Sequence, residues 1–258
     1  MTQAERRVYL LTHLLRENHK LNSTVIPEQE YEQRKLLRSL MNVRQPKPLD
    51  EAFLEIQDEY LRERNQERGI VTLQDMDEVQ PGIYLWQGDI TQLKVDAIVN
   101  AANSGLTGCY IPCHACIDNC IHTYAGLQLR DYCNALMEEQ AFAEPTGQAK
   151  VTPAFNLPAK YILHTVGPIV QGKVTPRHEE ELRSCYRSCL RLAARKGAQS
   201  IALCCISTGM FMFPNERAAE IAVETVQEFR KNYSQMKVVF NVYLDEDLEI
   251  YKNLLAKE

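Results

Sequence analysis

No apolar run in the 258 residues approaches the eighteen or so that a membrane-spanning helix needs, which excludes such a span. The first residues, Met1-Thr-Gln-Ala-Glu-Arg-Arg7, are polar and lack the apolar core of a secretory signal. The expectation is a cytoplasmic protein. There is no excess of positive charge: the formal net charge is −5, which argues against a nucleic-acid surface. Glycine is scarce and absent before Gly69, so little interrupts a helical reading of the first quarter of the chain. What is present is ordinary for a globular protein. A hydrophobic content of 45% against 24% charged residues supports a full core. The nine cysteines, in a chain expected to be cytoplasmic, read as thiols or metal ligands rather than disulfides. Cys185, Cys189, Cys204 and Cys205 lie in apolar surroundings and read as small core residues.

The pattern divides the chain into a helical N-terminal extension, residues 1–76, and a second unit, residues 77–258. In the first, Val8, Leu11, Leu14 and Leu15 recur at helical spacing. Pro27 and the acidic residues after it mark a helix start, followed by the stripe Tyr31, Leu36, Leu37, Leu40 and Met41. Pro46 and Pro48 interrupt the chain, and Leu49 to Arg68 reads as a third helix. These helices read as a cap on the second unit or as a surface for a protein substrate.

From Gly82 the periodicity changes. Strands are expected at Ile83–Trp86, Ala97–Val99, Tyr161–Val166, Ser200–Ile206 and Lys237–Tyr243. Helices are expected over 117–140, 179–196 and 218–231. Such alternation indicates an α/β fold with helices on both faces of a sheet. Ligands in these folds bind at the carboxyl ends of strands. Asn100-Ala-Ala-Asn103 and Ser207-Thr-Gly209 both follow strands and are expected on one rim.

The densest chemistry lies in Gly108–His122, fifteen residues holding Cys109, Cys113, Cys116, Cys120, His114 and His122. Thiolates and imidazoles this close together indicate a metal. Beside a nucleotide-binding strand and loop, Trp86–Thr91 and Val95–Ser104, they suggest an enzyme acting on a nucleotide-linked substrate. Cys113 adjoins His114, and neighbours in a short loop point different ways, so it reads as a spare thiol. The competing reading makes it a fourth ligand that closes the site. The spacing of Cys109, Cys113 and Cys116 also matches an iron–sulfur triad. Cys120 and His122 fall within an expected helix and read as packing residues.

Seven segments in order resemble the macrodomain family, the ADP-ribose-binding fold. They are Gly88–Thr91, Val95–Asn103, Ile121–Gly126, Leu157–Tyr161, His164–Pro168, Ile206–Gly209 and Tyr243–Tyr251, spanning about residues 82–255. The resemblance implies a three-layer α/β/α arrangement with a mixed central sheet. Where the family carries a run of glycines, this chain has Cys109-Tyr-Ile-Pro-Cys-His-Ala-Cys116. That departure, with the helical N-terminal extension, is similar to the zinc-dependent branch of microbial protein ADP-ribosyl hydrolases. The branch implies Cys109, His114 and Cys116 as ligands of one Zn2+. Two thiolates and a neutral imidazole would make a formally neutral, mild Lewis-acid site with an open position.

The resemblance further implies Asp89 as acceptor for the adenine amine, with Ile90 as an apolar wall and Tyr243 stacking on the ring. Ser207, Thr208, Gly209, Met210 and Phe211 form the expected diphosphate loop. Asn103 is expected on the distal ribose and Asn100 as a brace. Asp118 aligns with the acidic residue of the hydrolytic loop; its alternative is a helix cap. Phe213 is expected beside the phosphate loop or in the core. The implied activity is removal of ADP-ribose from a modified protein, a lipoyl-carrier type modified by a linked sirtuin. The alternatives are an ADP-ribose reader and an O-acetyl-ADP-ribose deacetylase. A monomer is expected.

Overall fold

A computed structural model describes residues 1–256. The chain opens with three helices, α1 (Gln3–Glu17), α2 (Glu30–Val43) and α3 (Glu51–Glu67). Thr2 and Asp50 cap α1 and α3 by accepting from the backbone N–H of Glu5 and Phe53. The three helices share an apolar cluster that includes Leu10, Leu11, Leu14, Leu40, Phe53 and Leu61. Leu127, from the second unit, joins it. Val8 and Tyr31, expected on the apolar stripes, are exposed. The buried stripe of α1 instead runs through Arg7, Leu10, Leu11, Leu14 and Leu15. Arg7 donates there to Gln33 Oε1 and Glu30 Oε1.

Among the described residues seven strands form one sheet: β1 (Asp77–Gln80), β2 (Ile83–Gln87), β3 (Ala97–Ala101), β4 (Ala149–Pro153), β5 (Tyr161–Thr165), β6 (Ser200–Leu203) and β7 (Lys237–Val242). Their spatial order is β1-β2-β7-β6-β3-β5-β4. The five central strands are parallel, and β1 and β4 close the edges antiparallel to β2 and β5. The sheet is therefore mixed. The remaining helices are α4 (Ile117–Ala125), α5 (Leu127–Gln140), α6 (Pro176–Arg195), α7 (Asn215–Arg230) and α8 (Asp245–Leu255).

Adjacent residues of a strand face opposite sides of the sheet, and β5 shows which helices occupy each side. His164 approaches Cys133 of α5, while Thr165 reaches Cys185 of α6. Helices α4 and α5 thus cover one face and α6 the other, with α7 packed beside α6. Central strands such as Ala97–Asn100 and Ser200–Leu203 are buried throughout, as strands covered on both faces must be. Cys185, Cys189 and Cys204 are buried, and Cys205 packs partly buried against the same core. No helix among the described residues is long and apolar enough to cross a membrane.

Several expected boundaries change. The single helix over 117–140 is two helices, because Gly126 between them has φ +106° and ψ 165°. Strand β6 ends at Leu203 rather than Ile206, and α7 begins at Asn215 rather than Ala218. β1 and β4 have no counterpart in the expected strands. They are edge strands whose sequences alternate poorly, Asp-Glu-Val-Gln in β1 being mostly exposed.

Gly126 occupies a backbone region that is essentially closed to other residues. A Cβ there would also lie 2.5 Å from Gln128 Oε1 and 2.9 Å from Gln57 Nε2. Gly126→Ala is expected to cost roughly 2 kcal/mol or more in urea unfolding. A second prediction concerns acid. Burial pushes the His164 imidazole down to about 3, so the unfolded chain takes up its proton first. Stability is complete above the unfolded value of 6.5 and is lost as the pH falls below it. Between pH 7 and pH 5 the stability gap between wild type and His164→Gln should narrow by about 2 kcal/mol. An unchanged gap would show that His164 does not resist protonation.

Candidate functional site

The carboxyl ends of the five parallel strands make one rim, and every expected ligand-binding segment follows one of them. Asp89 and Ile90 follow β2, Tyr243 follows β7, Ser207–Phe211 follow β6, and Asn100–Asn103 end β3. The expectation that Asn100–Asn103 and Ser207–Gly209 share a rim holds, since β3 and β6 are parallel neighbours. A segment that the sequence reading left without a role, Val166-Gly-Pro168, follows β5 on the same rim.

At the β2 and β7 end, Asp89 opens a short 3-10 turn and accepts from Thr91 N at 3.0 Å and Thr91 Oγ1 at 2.6 Å. Its other oxygen is paired with Arg68, which follows α3. That guanidinium lies 3.5 Å from the centre of the Tyr124 ring. Asp89 is therefore a braced carboxylate, not a free one. Ile90 is buried, and Tyr243 stands 71% exposed beside it on the neighbouring strand end. An exposed ring at a strand end has a face available for stacking.

The β6 loop doubles back on itself. Phe213 N donates to Ser207 O at 3.0 Å and Met212 N to Gly209 O at 3.0 Å. Ser207 (φ +68°) and Met212 (φ +55°) hold left-handed backbone conformations. Ser207 Oγ is buried without a partner, and Thr208 Oγ1 donates to Cys205 O. A Cβ on Gly209 would meet nothing within 4 Å, so the space beside that backbone is open. The close packing within the chain is at Gly167, where a Cβ would lie 2.0 Å from Ser207 Oγ. Met210 is 80% exposed, Phe211 is partly buried, and Phe213 belongs to the core.

At the β3 end three side chains meet. Asn100 Nδ2 donates to Asp118 Oδ1 at 2.8 Å, and Asn103 Nδ2 to Asp118 Oδ2 at 3.3 Å. Asn103 Nδ2 also reaches Gly108 O at 3.1 Å. Asp118 is buried, and burial raises its carboxyl to about 6 against the opposing pull of Asn100, Arg130 and Asn103. The helix cap considered for Asp118 is provided by Cys116, whose Sγ accepts from Asn119 N at 3.4 Å.

In the loop that precedes Asp118, the ligand atoms of Cys109, His114 and Cys116 lie within 4.8 Å of one another. Cys109 Sγ and His114 Nδ1 are 3.6 Å apart. Burial, with the neighbouring Cys109 and Asp118, pushes the Cys116 thiol up to about 12. The donor set suits a soft divalent cation, whose charge would offset that penalty. Cys113 turns away: its left-handed backbone (φ +54°) directs Sγ to Lys35 O at 3.4 Å. Cys120 Sγ accepts from Arg38, so it packs rather than joining the three.

His122, Cys133 and His164 form a second close group, fully buried. His164 is already engaged through both ring nitrogens. Asn100 Nδ2 lies 3.1 Å from Nδ1, and Thr152 Oγ1 lies 3.0 Å from Nε2. His122 makes no such hydrogen bond, its Nε2 standing 3.6 Å from Asp118 Oδ1, and burial, with His164 and Arg130 nearby, holds it well below the usual imidazole range. This group reads as core beneath Asp118.

Several residues that shape the site were missed by sequence reasoning: Arg38, Asn42, Arg68, Asn119 and Arg130. Arg130 is buried and donates to the carbonyls of Met41, Asn42, Arg44 and Thr107. No local pattern separates such residues from solvated helix surface.

The profile of the Macro domain family matches residues 99–222. A protein of Treponema medium named "Protein-ADP-ribose hydrolase" is 57% identical, covering 99% of this chain and all of that protein. A protein of the same name from Staphylococcus aureus (strain MRSA252) is 44% identical over 97% of this chain and 95% of its own length. Among solved structures, the Trypanosoma brucei macrodomain in complex with ADP-ribose superposes with a TM-score of 0.65 at 28% identity. It covers 84% of this chain and 94% of that one. With full-length identity of this order and a match to the Macro domain profile, the chain belongs to the macrodomain family.

Proposed function

We propose that this protein is a hydrolase that removes ADP-ribose from mono-ADP-ribosylated protein by cleaving the glycosidic bond at the distal ribose. The observation that carries this reading is Asp118, a buried carboxylate held by two asparagine amides beside a cluster of two thiols and an imidazole. The names of the relatives from Treponema medium and Staphylococcus aureus point the same way.

The rim supports an extended ligand. β2 and β3 are three strand steps apart in the order β2-β7-β6-β3. At 4.7–4.9 Å per step that is about 14 Å, with a stop at each strand end. The adenine would lie between Ile90 and Tyr243, with Asp89 accepting from its amine. The diphosphate would lie along Ser207, Thr208, Gly209, Met210 and Phe211, where Ser207 Oγ lacks a partner and the space beside Gly209 is open. The distal ribose would then reach Asn103 and the Cys–His loop.

In this pose Asn103 hydrogen-bonds a ribose hydroxyl, and Asn100 keeps Asp118 in place. Asp118 orients the attacking water and accepts its proton as the water oxygen bonds to the anomeric carbon. The bond from that carbon to the protein side chain breaks with its electron pair, and the leaving group takes the proton that Asp118 accepted. Cys109, His114 and Cys116 are the residues that would hold Zn2+, which supplies Lewis acidity beside the distal ribose. Cys113 is not placed to close that set. Resemblance to the sirtuin-linked branch supports a lipoyl-carrier type protein as substrate and a linked sirtuin as its modifying enzyme. The Cys–His loop in place of glycines and the three N-terminal helices are the features that carry it. The same resemblance favours a chain built of a helical extension, residues 1–76, and a macrodomain, residues 77–258.

The test is ADP-ribose release from a mono-ADP-ribosylated lipoyl-carrier protein, with O-acetyl-ADP-ribose assayed alongside. Wild type should release ADP-ribose, and Asp118→Ala should lower kcat by about 10²–10⁴ while still binding ADP-ribose in calorimetry. Binding without release by wild type would make the protein a reader. Turnover confined to O-acetyl-ADP-ribose would make it a deacetylase. Metal analysis should find about one zinc per chain, lost in Cys116→Ala and retained in Cys113→Ala. Loss in both variants would mean that Cys113 is a ligand after all.

A further inference from the structure

The loop that carries Cys109, His114 and Cys116 lies between β3 and α4 and belongs to no helix or strand. Its backbone groups must find partners elsewhere, since unpaired polar groups away from water are costly. Much of that pairing comes from the N-terminal helices. Arg38 of α2 donates through Nη2 to His114 O at 2.7 Å. The same guanidinium bonds Asn119 Oδ1, at 2.9 Å from Nη2 and 3.3 Å from Nε. That pins the Asn119 amide, whose Nδ2 then faces Cys109 O at 3.3 Å and Ile111 O at 3.0 Å. One arginine therefore acts on the loop twice, at the carbonyl of an expected ligand and through an amide that spans the loop.

Asn42, one turn further along α2, makes the second attachment. Its Nδ2 donates to Thr123 Oγ1 at 3.0 Å, which leaves Oδ1 facing Cys113 N at 2.9 Å. Cys113 is the residue held in the left-handed region, where a side chain is disfavoured. The bond from Asn42 holds that conformation, and the conformation turns the Cys113 thiol away from the other three donors. Arg130 completes the attachment from the opposite direction. It joins the carbonyls at the end of α2 to Thr107 O at the start of the loop.

From these contacts we infer that Arg38 and Asn42 are positioning residues of the metal loop. The N-terminal helices are then part of the metal site, because they preset the direction of His114 and keep Cys113 out of the ligand set. This rests on the proposal that Cys109, His114 and Cys116 hold zinc. Groups that orient ligands from behind typically change metal affinity 10–100-fold when removed.

The experiment compares wild type, Arg38→Met, Arg38→Lys, Asn42→Ala and Asn42→Asp as full-length chains. Zinc affinity is measured by competition with a chromophoric chelator. Amide hydrogen exchange of residues 109–116 is measured on the zinc-free proteins. Arg38→Met is expected to weaken zinc binding by about 10–100-fold and to speed exchange across the loop. Arg38→Lys should recover only part of this, since one ammonium cannot serve His114 O and Asn119 with the fixed fork of a guanidinium. Asn42→Ala should expose the Cys113 amide, whereas Asn42→Asp keeps an acceptor and should keep it protected. Zinc affinity and loop exchange equal to wild type in both Arg38→Met and Asn42→Ala would overturn the inference. If wild type itself bound no zinc, the metal reading would fail, and the exchange data alone would decide whether α2 orders the loop. Should Arg38→Met fail to fold, the Asn42 pair, which differs by one acceptor group, decides the outcome.

Discussion

A loop without its own hydrogen-bond ladder needs partners for each buried backbone group, and here that requirement organises the site. Residues 102–116 lie between β3 and α4 with no regular structure of their own. Their carbonyls and amides are taken up by Asn103 from within, Asn119 from α4, Arg130 from α5, and Arg38 and Asn42 from α2. Four parts of the chain meet at one loop because it cannot satisfy itself. The sulfur and imidazole donors are gathered by the same bonds, so the donor cluster follows from the pairing of the backbone.

The sheet supplies the other half of the geometry. Five parallel strands end on one side, and each end releases a loop toward the same rim. The carboxylates at the two ends of that rim are treated alike. Asp89 is held by Arg68 and Thr91, and Asp118 by Asn100 and Asn103. A buried or half-buried carboxylate persists only with such donors. The donors also remove its freedom to turn, leaving each carboxylate aimed in one direction. Arg68 comes from the end of the N-terminal helices and Arg38 from their middle, so the extension touches the rim near both ends.

The main features of the fold were legible in the sequence, because buried strands and amphipathic helices leave periodic traces. The five central strands and helices α6 and α7 follow those traces, whereas α8 was not expected and 117–140 is two helices rather than one. The edge strands β1 and β4 do not: Asp-Glu-Val-Gln carries no alternation, and it becomes a strand only because β2 offers an open edge. Val8 and Tyr31 show the opposite failure, fitting a helical stripe yet lying exposed. A stripe has width, and only the neighbouring helices decide which part of it is covered. The break at Gly126 was visible as a glycine, but its backbone angles, and the side chains of Gln57, Gln128 and Asn156 that a Cβ there would meet, belong to the folded chain.

By itself the sequence determined the layered α/β arrangement, the loops at the strand ends, and the presence of thiols and imidazoles in one short segment. These are local properties, carried by residue type and spacing. Tertiary structure decided which of those thiols face one another, that Cys113 turns to Lys35 while Cys116 turns inward, and that Asp118 is held by Asn100 and Asn103. It also decided that Arg38 and Asn42 serve the loop across 76 and 71 positions of chain, and that Arg130 joins Thr107 O to the distant end of α2. A hydrogen bond between distant residues leaves no periodicity and no spacing, so an arginine that builds a site and an arginine in solvent look the same until the chain is folded.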